Sequence, residues 1–137
     1  MSLSNATENQ TLKMHLQGID PAYRASATQY IALVSLATPD EAAPIATELT
    51  YTGYARVALT KASAWTDGGS SFTNAVTVLF GKRTDAGGTQ FARNAVICDT
   101  VSGPITQGII AALADTLDIN INIQPIFSPG DITVTAE

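Results

Sequence analysis

In 137 residues with a formal net charge of −5 there is length for one packed core, and no basic excess of the kind that holds a phosphate backbone, which argues against nucleic-acid binding. Charged residues make up 14% of the chain, against about 25% in ordinary soluble domains, and Ala, Thr, Ser, Asn, Gln and Gly fill the difference. The single cysteine, Cys98, excludes an internal disulfide framework and a paired-cysteine zinc site, and no apolar run approaches the length of a membrane span.

The opening "MSLSNATENQ" has neither a basic region nor an apolar core, so it does not read as a secretory signal; synthesis in a cytoplasm is the expectation. Asn5 followed by Glu8 resembles a capping box, with Leu3 placed as a staple before it. Leu12 and Leu16 lie one helical turn apart, and Gly18 stands before Asp20-Pro21 as a stop. The spacing predicts a helix over 5–17. Its apolar stripe is thin, so Leu3, Leu12 and Leu16 either dock lightly on the rest of the chain or lie against a neighbouring subunit.

"TQYIALVSLAT" (28–38) is apolar on both faces and rich in strand formers, which suits a central strand covered on both sides. "ELTYTGYARVALTKAS" reads as two short strands or one bent at Gly53. "DGGSS" is a turn, and "FTNAVTVLF" a strand with Phe72, Val76 and Val78 on one face. "GKRTDAGGT" is a second glycine-rich turn, followed by the strand "QFARNAVIC". Over 101–117 the pattern is ambiguous: Ile109, Ile110, Leu113 and Leu117 fit a helical stripe, yet a pair of strands fits as well. "DININIQPIF" alternates Ile119, Ile121 and Ile123 with Asn120, Asn122 and Gln124, which predicts a strand with one apolar face and one face of neutral amides. "SPGD" is a turn, and "ITVTAE" closes the chain. Short strands separated by turn signals point to a mainly β protein, an antiparallel sandwich or jelly roll with a short N-terminal helix. Residues 1–20 are then a helix or arm, and 21–137 one sandwich domain.

No constellation carries catalysis. His15 is the only histidine and lies on the predicted helix, away from any nucleophile-elbow sequence. Asp115, Asp118 and Asp131 lack the dense alternate spacing of a calcium loop and read as turn and element-ending residues. The loops "TDGGSS" and "TDAGGTQ" lack the Walker lysine and serine, and Asp-Gly and Gly-Gly serve hairpins. Cys98 in "NAVICDT" reads as a small buried hydrophobe. Tyr54-Ala55-Arg56 could place a stacked or interface arginine, or a strand residue extending to the rim. No cofactor and no metal is expected.

Laid out in order, "MSLSN", "ATQYIALVSLATPD", "TGYARVAL", "NAVTVLF" and "SPGDITVT" resemble the corresponding segments of a family of small virion proteins of tailed bacteriophages. That resemblance implies a structural part of a virion, made in the host bacterium's cytoplasm, with other virion proteins as partners. The leading expectation is a capsid decoration or cement protein that binds the major capsid protein, as a homo-oligomer such as a trimer. A tail, baseplate or fibre component is the alternative, and a carbohydrate-binding sandwich using Trp65 with Tyr51 or Tyr54 is a third. Low charge suits a surface made to be covered, since interface cores disfavour unpaired charge. On this reading the contact residues are Asn120, Asn122 and Gln124 on an amide face, with Tyr54, Arg56, Leu3, Leu12 and Leu16.

Overall fold

The computed structural model describes residues 2–135. Strand β1 is Ser2–Leu3 and helix α1 is Asn5–Gln17. A 3-10 turn over Ala22–Ala25 leads into β2, Thr28–Val34. Then come β3 (Val57–Thr60), the single-turn helix α2 (Lys61–Ala64), β4 (Trp65–Asp67), β5 (Ser71–Asn74), β6 (Val78–Leu79), β7 (Gln90–Cys98), β8 (Gly108–Ile119), β9 (Ile126–Phe127) and β10 (Ile132–Thr135).

The strands form an antiparallel sheet of order β3-β2-β7-β8-β10-β5-β4, with β1 sharing an edge of β8, and a separate ribbon of β6 and β9. The two outermost strands of the path, β3 and β4, are consecutive in the chain and joined only by α2. Four residues of helix span about 6 Å, whereas six strand spacings in a flat sheet would separate the edges by about 29 Å. The sheet therefore curls into a half-barrel. The mainly β, antiparallel expectation holds in this form.

Register assigns the two faces. Ile31 and Leu33 of β2, Ala95 and Ile97 of β7, Ala111 of β8 and Ile132 of β10 look inward and pack with Leu59, Tyr51, Phe80, Val78 and Phe127, so that the β6–β9 ribbon closes the inner face. Each isoleucine or leucine among them, taken fully from water, contributes about 1.5–3 kcal/mol. On the outer face Ala32, Val34, Val96 and Ile110 meet Ile45 and Ile105, under the segment 35–47. Strand β2 is thus covered on both sides, as its sequence predicts.

Helix α1 spans the predicted 5–17, but its cap is Ser4 rather than Asn5: Ser4 Oγ accepts from Thr7 N at 3.3 Å, and Gly18 ends the helix in the left-handed region. Thr7 ties it to the sheet by donating to Gly108 O and accepting from Gly108 N. The ambiguous segment 101–117 resolves as loop followed by β8. Helical spacing misleads there because β8 needs apolar residues on both faces: Ile110 packs outward while Ile109, Leu113 and Leu117 pack inward.

Two predicted strands are broken. "FTNAVTVLF" splits into β5 and β6 because Asn74 is buried at the break, where Nδ2 donates to Val76 O and Ser128 O, both at 2.9 Å, and Oδ1 accepts from Gly130 N and Ile132 N. Phe72 is consequently half-exposed while Val78 is buried. The strand over 118–127 is also corrected: β8 ends at Ile119, Ile123 N donates to Asn120 O at 3.1 Å, and Asn122 sits at φ 68. A chain that turns at 120–123 cannot present alternating faces. Ile119 is buried, but Ile121 and Ile123 are exposed.

Candidate interaction surface

The residues expected at an interface occupy four separate places. With the strand gone, Asn120, Asn122 and Gln124 form no common face: Asn120 accepts from Thr89 Oγ1, Asn122 takes the left-handed turn position, and Gln124 Nε2 donates to Phe80 O at 3.0 Å. Leu3 is half-buried in β1, whereas Leu12 and Leu16 are exposed on α1 with Ile19 beyond them, Leu16 at 79%.

Tyr54 and Arg56 are committed to the interior. Arg56 is 7% exposed and all of its N–H donors are matched: Glu48 takes Nε and one Nη2 hydrogen, Gly103 O takes the other Nη2 hydrogen at 2.8 Å, and Thr100 O and Oγ1 take Nη1 at 2.9 Å each. The Glu48 hydrogen bond raises the guanidinium pKa against the lowering effect of burial. Tyr54 Oη donates to Glu48 and accepts from Leu33 N, and its ring stacks on Phe80 with centroids 6.0 Å apart. Burial drives the Tyr54 phenol pKa far upward, and that of Tyr51 to about 12. Tyr51 is buried, and Tyr54 and Trp65 are half-buried against the same core, so neither pairing of the carbohydrate reading presents two exposed rings.

His15 is exposed on α1. Cys98 is buried, and that burial pushes its thiol up to about 11, away from reactivity. Asp131 accepts from Ser128 N in the "SPGD" turn, and among the described residues no His, Cys, Asp or Glu group is clustered to hold a metal. No helix of the described residues is long and apolar enough to cross a membrane.

A feature not anticipated from the sequence lies on the outer face of the sheet. Asn94, Ala112, Thr133, Thr73 and Thr66 are register partners across β7, β8, β10, β5 and β4, and they lie on the side away from the inner core. Thr135 and Ser71 form a second, shorter row beside them. Among the described residues no charged side chain falls in either row. The alternation in "ITVT" puts Thr133 and Thr135 on one face and could be read directly. Their neighbours Thr73 and Thr66 come from strands distant in sequence, so the row itself cannot.

The family model described as Podophage GP4 fiber I protein gp80 matches residues 2–135. The chain belongs to this family. Membership makes it a protein of a tailed-bacteriophage virion structural family, as the resemblance implies, and of a fibre family in particular. The gp80 fibre family supports the tail-associated alternative better than capsid decoration. None of the curated proteins compared with the chain matches it.

Proposed function

We propose that the protein is a non-enzymatic structural component of a podophage tail, part of its fibre apparatus, acting by contact with neighbouring tail proteins. The observation that carries this reading is the fibre-family match over 2–135. The uncharged outer face of β4, β5 and β10 agrees with it, since a surface to be covered by protein avoids unpaired charge. The buried polar side chains of Arg56, Arg83 and Asn74 are held by partners within the chain, which is how structural polar groups are arranged.

Association with other tail proteins follows from a fibre role, and self-association of the chain is part of the proposal. The test is the number of copies in purified virions, measured by quantitative mass spectrometry against the major capsid protein. A tail component gives a small copy number set by tail symmetry. A ratio close to that of the capsid subunit would restore the decoration reading, and absence from the particle would end both.

A further inference from the structure

The outer face of the sheet is one continuous surface, and the described residues cover only part of it. Over Ala32, Val34, Val96 and Ile110 lies the irregular segment 35–47, with Ile45 packed down. A sheet side chain reaches up to hold this cover by its backbone: Asn94 Nδ2 donates to Leu36 O and Ala37 O, both at 2.9 Å. The row that contains Asn94 then runs on, uncovered, through Ala112 to Thr133, Thr73 and Thr66. A groove of about 220 Å³ opens where the cover ends, walled by Ala37, Thr38 and Pro39 on one side and by Thr133 and Thr135 on the other. The groove leads off the chain's own cover and onto the threonines.

We propose that Thr66, Thr73, Thr133, Thr135 and Ser71 are the docking surface for an extended, uncharged segment of another virion polypeptide, laid across the sheet as a continuation of the 35–47 cover. This rests on the virion role proposed above. Hydroxyls both donate and accept, so threonines spaced about 4.8 Å apart along the row can meet the N–H and C=O groups of an extended backbone, as the Asn94 amide already meets two carbonyls. The threonine methyls supply apolar contact. A charged segment would lose hydration with no countercharge beneath it. A second copy fits this face less well, because five short side chains fall well below the roughly 800 Å² per partner of a standard stable pair. A segment anchored elsewhere on a larger partner is not bound by that limit.

The test uses phage particles. A photo-crosslinking residue placed at Thr73 in otherwise unaltered protein, irradiated in purified virions, should yield an adduct with a peptide of a different virion polypeptide; an adduct with a second copy, or none, overturns the proposal. In parallel, the pair Thr66→Lys and Thr73→Lys should lower incorporation into particles by at least about tenfold while leaving the Tm of the isolated protein unchanged. Leu79→Lys, on the exposed side of the β6–β9 ribbon, should incorporate as the unaltered chain does. Normal incorporation of the lysine pair overturns the docking surface alone, whereas absence of the unaltered protein from virions overturns the virion role.

Discussion

Arg56 and Glu48 are joined at two points, Nε to Oε1 at 2.8 Å and Nη2 to Oε2 at 2.7 Å. Through Thr100 and Gly103 the same guanidinium holds the loop between β7 and β8. Glu48 also bridges to the end of β2, so one side chain locks three segments. Removing a buried charge partner leaves the other uncompensated. Arg56→Ala should lower unfolding free energy by about 3–5 kcal/mol, measured by urea denaturation. Arg56→Lys should recover only part of this, because an ammonium cannot make the two-point contact.

Asn74 makes a second internal tie, four hydrogen bonds across the β5–β6 break and the turn before β10. Asn74→Ala should cost about 2–4 kcal/mol by stranding buried backbone groups. Asn74→Asp should also destabilise, since a carboxylate keeps the two acceptor contacts and loses both donor contacts. Thermal unfolding checks both, and a Tm equal to that of the unaltered chain in either variant would refute the tie.

The backbones of Gly53 and Gly81 approach so closely that a Cβ on Gly81 would run into the Gly53 carbonyl oxygen, and one on Gly53 into that of Lys82. Gly53 also sits at φ 103. Gly81→Ala should therefore destabilise by about 3 kcal/mol or more. Gly88, with open space around its Cβ position, should accept alanine within about 0.5 kcal/mol. Equal Tm values for the two variants would refute the close approach.

Acid stability carries a defined sign. Hydrogen bonds from the Arg83 guanidinium, and then from Thr52 N and Gly87 N, hold the Asp85 carboxyl down at about 2, below its ordinary 3.8. A group depressed in the folded state contributes stability that is complete above its unfolded pKa and is lost as pH falls through the folded one. Stability should drop between pH 4 and pH 2. Asp99 contributes in the same direction: burial pushes its carboxyl up, but the hydrogen bonds from Thr106 and Gln107 outweigh that and leave it lowered. Asp85→Asn should flatten the dependence across this window, as read by urea midpoints at stepped pH.

Elements governed by local chemistry were legible in the sequence. Helix α1 spans the predicted 5–17, and β2 falls within "TQYIALVSLAT" because a run apolar on both faces, closed by turns, has few alternatives. What failed was decided at a distance. The isoleucine–asparagine alternation after Asp118 has the period of a strand, but Arg83 O receives Asn122 N at 2.9 Å and the chain turns there. Arg83 itself is 1% exposed in a glycine-rich stretch that reads as a plain turn; Asp85 beside it is local, but Ile119 O, which takes Nη1, comes from a strand distant in sequence. The same reason hid the outer threonine rows, whose members are neighbours only once β4, β5 and β10 have paired.

In the proposed role this chain is a tail part covered by other proteins. A density map of the intact particle, with the chain located in it, measures this directly. The chain should lie at the tail, with the outer face of β4, β5 and β10 under a different polypeptide. Density for the chain over the capsid shell, or at the tail with that face open to solvent, would contradict it.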